Sequence, residues 1–145
     1  MNKYELKGYK YLLDELDKER FVVYFDRDDE TYASNGIIFF KVEEELLNIK
    51  HHSKNPIEGF KPMANMTMAR KQYIGDRECI VVRCPDKDLD AYIDKKLFTK
   101  VFGDAGRYHY TGMASDDGKI TLLLIVRKGE EIGGIMAVKT WGEDK

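Results

Sequence analysis

Two short stretches of helical periodicity each lead into three β-rich runs, and this repeated order restricts the fold more than any single motif. In the first stretch Tyr9, Leu12, Leu13 and Leu16 recur at helical spacing, with Lys7, Lys10, Asp14, Glu15 and Lys18 elsewhere around the wheel. The spacing predicts an amphipathic helix over residues 7–18, with Gly8 in its first turn and a short strand at Tyr4 and Leu6. In the second stretch Leu97, Phe98, Val101 and Phe102 make one apolar face. Asp94 suits its N-cap and Gly103 its C′ position, and Ala91–Ile93 reads as the strand before it. The first helix is followed by the runs Phe21–Phe25, Thr31–Ser34 and Gly36–Val42, with a hairpin signal at Asn35-Gly36. The second is followed by Arg107–Met113, Ile120–Arg127 and Ile132–Trp141. The order is therefore β-α-β-β-β twice, in halves of about 1–49 and 77–141. Such a chain is α+β: a largely antiparallel sheet with two helices on one face.

Bulk properties bound the rest. At 145 residues the chain is one domain, 1–145. Hydrophobic content of 43% and charged content of 34% are those of a globular domain and exclude disorder. A net charge of -2 means that any nucleic-acid contact must use a local patch. Cys79 and Cys84 stand five apart in a strand-like run, so they point to opposite faces and read as thiols in a reducing compartment. No apolar run approaches the ~20 residues of a membrane span, and the charged residues 1–20 do not read as a secretory signal. No membrane partner and a cytoplasmic location are the expectation.

Motifs for chemistry are missing. There is no G-x-S-x-G, Walker loop, G-x-G-x-x-G or C-x-x-C, so no catalytic residue and no cofactor is expected. His51 and His52, with His109 or Glu58, are the candidates for a small metal-dependent enzyme. Adjacent histidines in a strand point apart, however, and no metal is expected there. Asp26, Asp28, Asp29 and Glu30 resemble a cation loop, but Thr31 stands where glycine is required and Ile37 where the final acid belongs. A charged hairpin turn accounts for them better. Gly133-Gly134 within a strand run predicts a bulge or a close backbone approach. Glu43–Ile49 reads as a short helix whose acids suit its N-terminus.

The segment joining the halves, 50–76, lacks periodicity and reads as a long connection. It holds Met63, Met66 and Met68 beside Lys61, Arg70 and Lys71. Methionine adapts to irregular apolar partners, so residues 60–69 are a candidate protein-binding segment. On that reading the chain is a small inhibitor or adaptor of the kind found in phage or mobile elements.

The repeated order resembles a single domain of the bacterial sliding clamp, the processivity factor of replicative DNA polymerases. Thr31-Tyr-Ala-Ser-Asn-Gly-Ile-Ile looks like the clamp segment in which a strand runs through a Thr-Asp-Gly turn and out again. Glu130-Glu-Ile-Gly-Gly-Ile-Met-Ala-Val-Lys139 looks like the closing clamp strand. Met136-Ala-Val-Lys-Thr-Trp stands where that family has an apolar-Met-Pro-Met-Arg ending, and one domain stands where that family has three. The resemblance implies a non-enzymatic accessory factor of DNA replication or repair. It also implies self-association and contact with duplex DNA through basic helix residues. Here those residues are Lys7 and Lys10 on the first helix and Lys95, Lys96 and Lys100 on the second.

Overall fold

A tight turn and an Asn-Gly corner shape the first half. In a computed structural model that describes residues 3–43, 49–55, 58–84, 89–114 and 122–141, helix α1 (Lys3–Asp17) is followed by β1 (Val23–Arg27), β2 (Glu30–Ser34) and β3 (Ile38–Lys41). The Asp28-Asp29 turn has φ of 51° and 64°, the left-handed geometry that matches a two-residue hairpin to the twist of its strands. The charged run Asp26–Glu30 is thus a hairpin turn, as expected. At the next corner Asn35 Oδ1 accepts from the amides of Ile37 and Ile38, and Gly36 has a φ of 95°.

The expected strand at Tyr4 and Leu6 is instead the opening of α1, which places Gly8 inside the helix. A Cβ on Gly8 would lie 2.7 Å from the Phe40 ring, so close packing of helix on sheet outweighs the cost of a helical glycine. Leu13, grouped by spacing with the apolar face, is 49% exposed.

The joining segment departs most from expectation. It contains β4 (Lys61–Ile74), a 14-residue strand. Its first half pairs with β7 (His109–Ala114) and its second half with β5 (Arg77–Cys84). Pairing with its hairpin neighbour β5 and with β7, distant in sequence, supplies here what local periodicity does not. β6 (Leu89–Asp94) leads into α2 (Lys95–Phe102), capped by Asp94 and ended by Gly103 at φ 83°, as the sequence reads. A 3-10 turn over Ala105–Arg107 precedes β7, and β8 (Leu122–Lys128) and β9 (Glu130–Met136) complete a second meander. The final run Ile132–Trp141 is not one strand. It breaks at Ala137-Val138, and β10 (Lys139–Trp141) pairs with β6. The reading at Glu43–Ile49 falls largely outside the described residues.

All strand pairs are antiparallel, in the order β1-β2-β3-β9-β8-β7-β4-β5-β6-β10. The first six positions read the same from both ends once each strand is matched to its counterpart: β1 with β7, β2 with β8, β3 with β9. The seam between the meanders is β3 against β9. Gly133 and Gly134 make it possible, because a Cβ on Gly133 would stand 2.3 Å from the Phe39 carbonyl oxygen and one on Gly134 2.5 Å from the Phe39 ring. The expectation of a close backbone approach is met there. Strands β9 and β10 are six positions apart in the order, a separation of roughly 29 Å in a flat sheet. The link between them spans about 10 Å at most, so the sheet curls strongly.

Both helices lie on one face and pack against each other. Leu12 and Tyr9 of α1 and Phe98, Val101 and Phe102 of α2 share a core with Phe40, Ile80, Ile93, Val126 and Ile135. A second core, Phe25, Tyr32, Phe39, Leu123 and Ile125, lies on the sheet's other face. The described residues form an α+β fold with two α-helices and antiparallel sheet. No helix among the described residues is long and apolar enough to cross a membrane.

Candidate nucleic-acid interface

The helix pair gathers lysines that the sequence places far apart. α2 keeps its apolar stripe inward, which turns Lys96 and Lys100 outward. α1 packs beside it, and Lys7 reaches the same cleft as Lys95, Lys96 and Lys100. The cleft measures about 800 Å³, and the β4–β5 turn closes it with Asp76, Arg77 and Glu78. Two ion pairs neutralise part of this wall: Lys95 Nζ to Glu78 Oε1 at 3.1 Å and Arg77 Nε to Asp94 Oδ2 at 3.4 Å. Lys7, Lys96 and Lys100 are exposed and form no ion pair with the described residues. Lys10 is exposed on the next turn of α1 and does not line the cleft. No aromatic side chain lines it among the described residues.

The opposite end of the helix pair has a different character. Glu15 is buried, and its carboxylate accepts from Tyr11 Oη at 3.2 Å and Asn35 Nδ2 at 2.9 Å. Arg20 adds an ion pair at 3.6 Å. Burial, then the Glu15 charge, pushes the Tyr11 phenol up. These contacts hook α1 to the β2–β3 corner.

Sequence reasoning missed one cluster entirely. On the sheet face away from the helices, Glu131 accepts from Arg27 Nε and Nη2 at 3.1 and 3.2 Å and from Tyr32 Oη at 2.6 Å, with Arg127 Nη1 at 3.9 Å. Burial opposes ionisation of Glu131, but the bonds from Arg27 and Tyr32 and the nearby guanidinium charges hold its carboxyl below the usual range. Burial and the Glu131 bond push the Tyr32 phenol up. Arg27 and Glu131 are 104 residues apart, so no local spacing signals the pair.

The histidines are not brought together. His51 stacks on Phe21 at 6.3 Å, and His52 Nε2 lies 3.2 Å from Asp26 Oδ2 beside β1. His109 is exposed on β7, at the far end of the six-strand run. The described residues contain no group of three or more His, Cys, Asp or Glu side chains placed to hold a metal ion. Cys79 is buried. Met63, Met66 and Met68 stand within β4, where Met66 pairs with Tyr110 and Met68 with Val82. A partner contact there would be made on a sheet strand and not through a loose loop. Comparison with family models, curated proteins and solved structures gives no match.

Proposed function

We propose that this protein is a non-enzymatic binding protein that contacts the phosphates of duplex DNA through its helix face, as an accessory factor in replication or repair. The observation behind this reading is the convergence of Lys7 from one helix with Lys95, Lys96 and Lys100 from the other on one open cleft. Lys7, Lys96 and Lys100 have no carboxylate partner among the described residues, so phosphate oxygens meet no competing ion pair at these three, whereas Lys95 is already paired with Glu78. The described residues that line the cleft are charged or polar and carry no aromatic ring, which favours recognition of the backbone over stacking on bases. Such binding is indifferent to sequence and sensitive to salt.

The test is a fluorescence titration of a labelled duplex at increasing salt. Engagement of three to four phosphates gives a log-log salt slope of roughly -3. Lys96→Glu with Lys100→Glu abolishes binding at low salt while leaving the melting temperature unchanged, since both side chains are exposed. Absence of wild-type binding at low salt, or unchanged affinity in the folded double variant, overturns the proposal.

A further inference from the structure

We infer, resting on the phosphate reading above, that the site does not end at the first cleft. It continues along the helix pair into a second phosphate subsite at Lys18, and Asp14, which stands between the two, tempers how strongly a strand is held.

A second cleft of about 310 Å³ opens farther along the helix pair, with Asp14 and Lys18 on one side and Lys96 and Lys100 on the other. Asp94, Lys96 and Lys100 line both clefts, so the two are parts of one groove. The sequence of α1 runs along its wall. Asp14 and Lys18 stand seven and eleven residues after Lys7, about two and three helical turns, which sets all three on one side of the helix. The Lys18 amide donates to the Asp14 carbonyl at 3.1 Å, so the helical winding carries through Lys18. Lys7 and Lys18 are then roughly 16 Å apart along the axis. A strand of duplex DNA carries one charge per about 3.4 Å of its axis, so a backbone that follows the groove sets several phosphates between them.

The charges of the second cleft divide into committed and uncommitted groups. Glu15 is buried and held by Tyr11, Asn35 and Arg20. Asp94 accepts from the Leu97 amide and pairs with Arg77. Uncommitted among the described residues are Lys18, Lys96 and Lys100 against Asp14 alone, an excess of positive charge. Asp14 and Lys18 are spaced i, i+4 with the acid first, the orientation that favours pairing on a helix, yet they form no ion pair. Both are exposed. The Lys18 ammonium is therefore open to a phosphate, and the Asp14 carboxylate repels a strand that passes over it.

The salt titration of a labelled duplex, run on the full chain, tests this. Lys18→Ala weakens binding severalfold at low salt and makes the log-log slope shallower by about 0.9, the share of one phosphate. Lys54→Ala, at an exposed lysine outside both clefts, leaves the slope unchanged. Asp14→Asn tightens binding at low salt roughly twofold, as expected for removing one like charge about 8 Å from a phosphate in water. Damage to the fold would not produce that gain. An unchanged slope in Lys18→Ala, an equal change in Lys54→Ala, or an Asp14→Asn variant that binds no tighter overturns the inference. Wild-type binding that is lost in Lys96→Glu/Lys100→Glu but indifferent to Lys18 removes the second subsite alone. A wild type that binds no duplex at low salt removes both readings.

Discussion

The two halves of this protein follow one plan and are fastened in different ways. Each sets a helix on a three-stranded meander, and the meanders meet strand to strand at β3 and β9. The second helix is short, yet Phe98, Val101 and Phe102 are almost wholly buried. Asp94 and Gly103 close its ends, and the hydroxyls of Tyr108 and Tyr110 donate to the carbonyls of Phe102 and Ala105 just beyond it. The first helix is nearly twice as long but, among its described side chains, buries only Tyr9 and Leu12 of the large apolar residues. Polar hooks hold it instead: Glu15 to Asn35, and the Glu43 amide to Tyr9 Oη at 2.7 Å. A short helix in this fold is secured by apolar contact, and a long one by hydrogen bonds that fix its position while leaving much of its surface open. Of the lysines in the proposed phosphate cleft, Lys7 lies on that surface.

Substitutions at the fastenings put this contrast to the test. Phe102→Ala removes a ring packed against Phe40, Phe98 and Tyr108 and costs about 3–5 kcal/mol in denaturant unfolding. A cost below that of Leu12→Ala would break the claim that α2 is the better anchored helix by packing. Glu131→Gln, at the junction of the halves, costs about 2–3 kcal/mol, because it weakens charged hydrogen bonds from both Arg27 and Tyr32. Its pH dependence follows from the lowered carboxyl pKa. The wild type binds fewer protons at this site folded than unfolded, so the stabilisation is complete above the ordinary value of 4.5 and is lost as pH falls through the lower folded value. The unfolding midpoints of wild type and variant therefore converge in acid. Convergence at high pH instead would reverse the assignment. At the smallest scale, Asn35→Ala costs about 1–2 kcal/mol by depriving buried Glu15 of a donor, and Asp94→Ala about 1 kcal/mol by removing an N-cap. Differential scanning calorimetry of the two ranks hook against cap.

What the sequence made legible was local. α2 could be placed from the spacing of four apolar residues between Asp94 and Gly103, because capping and periodicity are both short-range signals. The Asp28-Asp29 and Asn35-Gly36 corners were readable for the same reason. β4 was not, since its residues show no alternation and its pairing is set by β5 and β7. The break after Met136 was hidden too, because Ala137-Val138 carries no turn signal and the change of partner to β6 is a tertiary event. The five lysines were visible on their helical wheels. The convergence of four of them, all but Lys10, required knowing that α1 and α2 lie side by side and that the β4–β5 turn closes the cleft. Leu13 was misplaced because it sits at the margin of the apolar arc, where spacing alone does not say which side the sheet takes.

The seam of β3 and β9 bears on how fast the chain reaches its native state. Each meander is built from hairpins between neighbours in sequence, which form in microseconds, whereas Ile38 must find Ile135 and Phe40 must find Gly133 across most of the chain. Closing a loop of that length carries the larger entropy penalty and little reward until the register is correct. The meeting of two preformed meanders is therefore the step expected to limit the rate. Substitutions at the Asp28-Asp29 turn, which forms before that step, are therefore expected to slow refolding, as are those at the seam glycines Gly133 and Gly134.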